Sequence, residues 1–288
     1  MTPQPPDGPG NRWSDLDRPP LSADALRRAL VREGGLYTSL DVLDAIGSTN
    51  TELVGRLSAG TAAPGAVVVA EEQTAGRGRL ERTWTAPPRS GLFFSVALRP
   101  SAPVERWGWL PLLAGVATAT ALARASGVDT SLKWPNDLLA DVAGDERKIG
   151  GILAERTGDD TVVIGIGLNV SLRADELPVP TAGSLALAGA DGTDRDPLLR
   201  AVLRSLEEWY GRWDEADGDP GASGAQAAYA AGCATLGRSV RVELPGGDAL
   251  TGEAVALDGD GRLVLATSAG VQRPVAAGDI VHLRGTDG

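Results

Sequence analysis

The sequence is short of the residue types that most often carry covalent, redox or metal chemistry. Cys233 is the one cysteine in 288 residues, so no disulfide can form within the chain and the cytoplasm is the natural compartment. Set among alanines and glycines, it reads as a small core residue, not as a nucleophile. His282 is the one histidine, and a His-based metal site or catalytic triad is hard to assemble around it. Lysine is nearly absent: of 27 basic residues, only Lys133 and Lys148 are lysine and the other 25 are arginine. A lysine that survives such a bias points to a task for which an arginine fork is unsuited, so both positions are pointers.

Long apolar runs are missing too. No uninterrupted stretch approaches the ~20 residues of a membrane span, and the N-terminus lacks a basic segment followed by an apolar one, so no signal peptide is expected. Positive charge is in deficit, with a formal net charge of -11, which argues against nucleic acid or an anionic membrane as the main partner. The hydrophobic share of 42% and the length suit a soluble protein with one large domain and a small one.

Against this acidic background one stretch is locally cationic. The apolar run Ala66-Val67-Val68-Val69-Ala70 reads as a buried strand and gives way to Gln73-Thr74-Ala75-Gly76-Arg77-Gly78-Arg79, with Trp84 closing the segment. Gly76 and Gly78 permit positive φ or close approach to a ligand. Arg77 and Arg79 offer planar forks for phosphate or carboxylate, and Trp84 offers a face for a base. A solvated Arg/Gly loop reads equally well from these residues alone. Glu81 stands where a dinucleotide fingerprint needs its third glycine, and no Walker lysine follows.

The rest of the chain alternates helices and strands. Residues 1–20, rich in Pro, Gly and Asp, read as a disordered tail. Ser22–Arg32 reads as a helix capped by Ser22, and Ser39–Ile46 as a strand, which leaves no room for a helix-turn-helix domain ahead of the core. Gly47-Ser48-Thr49-Asn50 opens a helix; the hydroxyls and amide suit capping, and equally a polar, uncharged ligand. Gly91–Leu98 is a strand and 107–126 a long apolar helix. Lys133-Trp134-Pro135-Asn136-Asp137 sits at a strand end, followed by a loop at 141–147. Lys148-Ile149-Gly150-Gly151 opens an apolar strand, where paired glycines need either a ligand or a bulge. Thr161–Val170 is a strand with spaced glycines ending at Asn169, and Pro197–Trp213 is an amphipathic helix. From Arg238 onward, five short strands between Gly/Asp turns suggest a small barrel of roughly 50 residues.

Taken together and in order, Gly-Ser-Thr-Asn at 47–50, Gln-Thr-Ala-Gly-Arg-Gly-Arg at 73–79 with Trp84, Lys-Trp-Pro-Asn-Asp at 133–137, Lys-Ile-Gly-Gly-Ile-Leu at 148–153 and Gly-Ile-Gly-Leu-Asn-Val at 165–170 resemble the biotin–protein ligases, over about residues 40 to 284. Some members carry an N-terminal DNA-binding domain, and this chain looks like the monofunctional type without one. The resemblance implies an α+β fold: a mixed sheet flanked by helices, like that of class II aminoacyl-tRNA synthetases, over residues 21–234, and an SH3-like β-barrel over 237–285. It implies ATP and Mg²⁺, with no dedicated metal ligands assigned. Biotin would be activated as biotinyl-5′-AMP and transferred to a lysine of a biotin carboxyl carrier protein domain.

Carried over by resemblance, Ser48, Thr49, Asn50, Gln73, Arg77, Gly78, Arg79, Lys148, Gly150 and Gly151 would bind biotin. Arg79, Trp84, Asn136 and Asn169 would bind the nucleotide. Lys148, Arg77 and Asp137 would be catalytic: Lys148 at the acyl carbonyl and phosphate, the arginines in a lid, and Asp137 accepting the proton of the attacking amine. Lys133 could bind an anion or be structural. Leu80-Glu81-Arg82 belong to a variable part of the loop. The rivals are a lipoate–protein ligase or octanoyl transferase of the same fold, a non-enzymatic ligand sensor, and a plain Arg-loop nucleotide or RNA binder. Ser48, Thr49 and Gln73 favour a ureido ring over a dithiolane, which needs no such partners.

Overall fold

The structure is a computed structural model that describes residues 18–244, 248–276 and 278–283. Most of the expected tail and the last residues of the expected barrel lie outside that range. Helix α1 (Ala23–Leu30) leads into β1 (Ser39–Ile46), α2 (Thr49–Ser58) and β2 (Ala66–Gln73). A two-residue hairpin follows, β3 (Gly76–Arg77) with β4 (Thr83–Trp84), and then β5 (Gly91–Leu98). Next come α3 (Leu110–Ser126), β6 (Thr130–Lys133), β7 (Asp137–Val142), β8 (Asp145–Thr157) and β9 (Thr161–Asn169). Helices α4 (Arg195–Glu215) and α5 (Ala225–Gly232) precede five strands: β10 (Ser239–Glu243), β11 (Ala249–Leu257), β12 (Leu263–Ala266), β13 (Gln272–Val275) and β14 (Asp279–His282).

Seven strands form one mixed sheet in the order β1-β2-β5-β9-β8-β7-β6, parallel between β1 and β2 and antiparallel elsewhere. Side chains alternate across a strand, and β9 divides its residues accordingly. Val162, Ile164, Ile166 and Leu168 join the main core, with α1, α3, α4 and α5. On the opposite face Val163 packs against Leu53 of α2 in a smaller cluster. From Val163 onward that face carries Gly165, Gly167 and Asn169, and there the cavity opens. Helix α4 holds its side of the core with Leu198, Leu199, Val202, Leu203 and Leu206, all buried; each contributes about 1.5–3 kcal/mol relative to an exposed side chain. The buried pair Glu71–Arg195, at 2.6 Å, ties β2 to α4, and the same two side chains grip the backbone of Leu21 and Pro19.

Several local expectations are corrected. Ser22 occupies the N-cap of α1 but makes no capping bond with its side chain; its N–H goes to Asp196 instead. The long apolar helix starts at Leu110, after a 3-10 segment over Val104–Trp109. The loop expected at 141–147 is a tight turn at Ala143 and Gly144, both with positive φ, so β7 and β8 run further than expected. Residues 18–20, assigned to the tail, are anchored: Arg18 pairs with Glu176 and donates to the Ser171 carbonyl. The C-terminal strands form an antiparallel sheet in the order β13-β12-β11-β10-β14. Among the described residues its edges β13 and β14 do not pair, so five strands are present but not a closed barrel.

This second sheet shares the main core through Val240, Val242, Leu263 and Leu265. Trp134 Nε1 donates to the Gly261 carbonyl and Trp109 Nε1 to that of Gly259. Beside them Arg238 forms a bidentate pair with Glu146 at 2.7 and 2.9 Å, and His282 lies 3.1 Å from Arg238 and 3.2 Å from Thr235. Arginine can only donate, so His282 Nδ1 accepts from Arg238 and Nε2 carries the proton toward Thr235. Burial, then the positive charges of Lys133 and Arg238, lower the His282 pKa from 6.5 to about 4, against a smaller opposing pull from Glu146. The unfolded chain therefore binds the proton first as pH falls. The joint is at full strength above pH 6.5 and weakens progressively toward pH 4. Urea unfolding of His282→Asn should show a shallower fall in stability than wild type between pH 6.5 and 5; equal slopes would contradict this account.

Candidate active site

Everything at the cavity follows from what the α2 face of the sheet lacks. Gly165, Gly167 and Gly151 leave bare backbone on β9 and β8, and a cavity of about 730 Å³ lies above it. Every residue expected at the ligands lines this cavity except Gly150. Gly150 faces away: a Cβ there would meet Leu168, Leu138 and the Gly167 carbonyl, whereas a Cβ on Gly151 would lie 3.2 Å from the Trp84 ring. The paired glycines thus have separate reasons, tight packing behind for one and room for the Trp84 ring in front for the other. Between them and Lys148 the β7–β8 register shifts, with Leu138 opposite Gly150 and Leu139 opposite Lys148. This bulge at Ile149 allows Lys148 and Gly151, three apart, to share one face.

At one end of the cavity Lys148 Nζ lies 2.6 Å from Asp137 Oδ1. Both side chains are partly exposed, so each remains accessible to a ligand. Asp137 sits opposite Gly151 in the ladder, at the start of β7. Asn136 is committed to structure: its amide donates to the Ile152 carbonyl, and its Oδ1 accepts from Arg79 at 3.3 Å. Lys133 does not line this cavity; its charge acts on Glu146 and His282 at the joint, which fits the structural alternative left open for it.

At the other end lies a network of polar groups, uncharged except where it meets the Arg77–Glu155 pair. Thr49 donates its N–H to Gln73 Oε1 at 2.8 Å, and its hydroxyl lies 3.2 Å from the same oxygen. Gln73 thereby has its carbonyl engaged while it lines the cavity. Ser95 Oγ lies 2.6 Å from Asn50 Oδ1 and 2.8 Å from Thr49 Oγ1; with one proton it donates to one and accepts from the other. Asn50 Nδ2 donates to the Leu153 carbonyl and to Glu155. Asn50 is therefore fully occupied within the protein and organises the pocket from below. Ser48 holds the N-cap position of α2 without a side-chain capping bond and lines the cavity with Thr49.

The cationic loop forms the roof. Gly76 and Gly78 have no positive φ, contrary to one of their two expected uses; Leu80 does, at 54°. Gly76 is required by close approach, because a Cβ would collide with the Trp84 carbonyl across the hairpin. The Arg77 guanidinium is engaged with Glu155 at 2.9 Å and Thr51 at 3.2 Å. Arg79 reaches Asn136 and, at 3.5 Å, the Gly278 carbonyl of the C-terminal part. Trp84 lays its indole on Gly151 and Gly167, each 3.2 Å from a ring carbon by their missing Cβ positions, with Lys148 Nζ 5.6 Å from a ring centroid. Its Nε1 and the Oδ1 of Asn169 are buried polar atoms lacking a hydrogen-bond partner. Sequence reasoning missed Ser95, Glu155 and the rim at Pro178–Ala182. Only the two-residue spacing of Gly165, Gly167 and Asn169 hinted at the face they share.

Two family models match the chain: the Biotin/lipoate A/B protein ligase family over residues 42–170 and the Biotin protein ligase C terminal domain over residues 235–283. The chain is 42% identical to the biotin–[acetyl-CoA-carboxylase] ligase of Mycobacterium tuberculosis, over 94% of this chain and 98% of that protein. It is 33% identical to the bifunctional ligase/repressor BirA of Bacillus subtilis, over 82% of this chain and 71% of that protein. Among solved structures it resembles the biotin protein ligase of Aquifex aeolicus in complex with biotin and ATP, with TM-score 0.70 and 29% identity over 86% of this chain and 100% of that one. A Leishmania major biotin protein ligase in complex with biotinyl-5-AMP matches with TM-score 0.55 and 26% identity, over 83% of this chain and 99% of that one. The chain belongs to the biotin protein ligase family.

Because a Cβ at position 165 would lie inside the Asn50 amide oxygen, Gly165→Ala should displace Asn50 and lose about 1–3 kcal/mol of stability. Glycine-to-alanine in an unobstructed strand would act in the opposite sense. Urea unfolding at neutral pH measures the difference, and a Gly165→Ala variant as stable as wild type would contradict the packing described.

Proposed function

We infer that the protein joins biotin to a lysine of a biotin carboxyl carrier protein domain, by way of biotinyl-5′-AMP made from biotin and ATP. The observation that carries this reading is the polarity of the cavity: a buried, uncharged hydrogen-bonding end and a Lys148–Asp137 end, joined by a floor of bare glycine backbone. Ser48, Thr49 and Gln73 are suited to a ureido ring, while Asn50 holds them from below. The acyl chain would run past Gly151 toward Lys148, which requires the Trp84 ring to move off that glycine.

In the first step a biotin carboxylate oxygen attacks the α-phosphorus and pyrophosphate leaves. Two anions must meet, and the Lys148 ammonium, a compact point charge, is placed to lower their repulsion and stabilise the charge that develops. Arg77 and Arg79 act through the roof they carry, which keeps water from the anhydride. Trp84 would stack against adenine, and the buried Asn169 oxygen would accept from its exocyclic amine. Mg²⁺ would arrive on the phosphates of ATP. In the second step the neutral lysine amine of the carrier attacks the acyl carbon, the C–O bond to phosphate breaks, and AMP departs. Asp137, beside Lys148, would take the amine's proton.

We read the large sheet as akin to that of class II aminoacyl-tRNA synthetases and the C-terminal strands as SH3-like. The adenylating chemistry and the five-strand antiparallel order support these assignments. No helix among the described residues is long and apolar enough to cross a membrane. The single cysteine and the net charge of -11 support a cytoplasmic enzyme that works without nucleic acid or membrane.

Lys148→Ala should leave a folded protein whose biotin-dependent pyrophosphate release is about 10²–10³-fold slower, and carrier labelling followed by intact mass should fall with it. Release at the wild-type rate would remove Lys148 from the mechanism.

A further inference from the structure

Glu155 does not line the cavity, yet it connects the two parts of the site that must act together. Alternation along β8 places it on the same face as Gly151 and Leu153. Its Oε1 lies 2.9 Å from Arg77 Nη2 in the roof, and its Oε2 accepts from Asn50 Nδ2 at 2.8 Å. Asn50 is buried and fixed by Ser95 and the Leu153 carbonyl, so the carboxylate stands on a rigid support. Arg77 is half exposed, and its remaining contact to Thr51 reaches the same helix α2. In the β3–β4 hairpin Arg77 pairs with Thr83, and Gly76 with Trp84, whose ring covers the glycine floor. Glu155 thus ties the Arg77 end of the roof to the sheet, while Arg79 ties the other end through Asn136.

We propose that Glu155 is a positioning residue that latches the Arg77 roof over the ureido end of the site, and so governs how long the acyl-adenylate is retained. The proposal rests on the ligase reading above. Glu155→Gln separates its two bonds. The amide oxygen still accepts from Asn50, which preserves the floor of the pocket, while the charge-assisted bond to Arg77 is lost. A partly exposed ion pair of this kind changes an equilibrium by about two- to fivefold.

The test uses the full chain with biotin and Mg-ATP and no carrier. Pyrophosphate is followed through a first burst, one per site, and then through a slow phase set by escape of biotinyl-5′-AMP. Wild type, Glu155→Gln, Arg77→Gly and the double variant are compared, with urea unfolding as a control for folding. Glu155→Gln should keep the burst and the unfolding midpoint and raise the slow phase about two- to fivefold. The double variant should leak no faster than Arg77→Gly alone, because both changes open the same latch. An unchanged slow phase in Glu155→Gln would overturn the latch, as would a lost burst or a Glu155→Gln effect that persists in full without Arg77. If Arg77→Gly does not leak, the roof is no lid and the latch falls with it, while adenylation stands. If wild type gives no burst, the ligase reading itself fails.

Discussion

Asn50 can lie against β9 only because residue 165 is glycine, and the rest of the site is arranged around that contact. Its amide is shared among Ser95, the Leu153 carbonyl and Glu155. Those bonds lock the first turn of α2 onto the sheet, and with it Ser48 and Thr49. A buried amide with every group satisfied is rigid, whereas a partly satisfied one would cost about 1–3 kcal/mol for each orphaned group. Ser48 and Thr49 are therefore held in place by Asn50, whose own amide is spent on protein partners.

The sheet serves two purposes by alternation. One face is aliphatic and packs under α1, α3, α4 and α5; the other gives up a side chain at Gly165, where Asn50 fits, and at Gly151 and Gly167, where the Trp84 ring lies. Such a loss of side chains weakens a strand. Here it is offset by position, since β8 and β9 lie inside the sheet, paired on both sides. The bulge at Ile149 brings Lys148 onto the open face next to Asp137. Without it, simple alternation would turn Lys148 toward the core.

Much of this was legible in the sequence because the cavity residues fall in compact segments with unusual composition. The scarcity of lysine pointed to Lys148, and the Gly/Arg loop with Trp84 pointed to the roof. Lys133, singled out by the same scarcity, does not line the cavity, since composition cannot say which side of a strand end a charge will face. Ser95 and Glu155 look like ordinary strand residues in sequence; their importance comes from partners 45 and 105 positions away. The role of Gly76 was likewise hidden, because what it makes room for is a carbonyl across a hairpin. Five C-terminal strands could be read from their turns, but whether their edges meet depends on pairing that no local pattern encodes.

The central claim is that the uncharged polar end of the cavity selects a ureido ring. The most direct test is pyrophosphate release by the wild-type chain from Mg-ATP with biotin, lipoate or octanoate, without carrier. Release with biotin and little with the other two is predicted, because a dithiolane or alkyl tail would leave buried donors and acceptors unpaired. Comparable release with lipoate or octanoate would contradict the account and place the chain's chemistry with the lipoate ligases of the same fold.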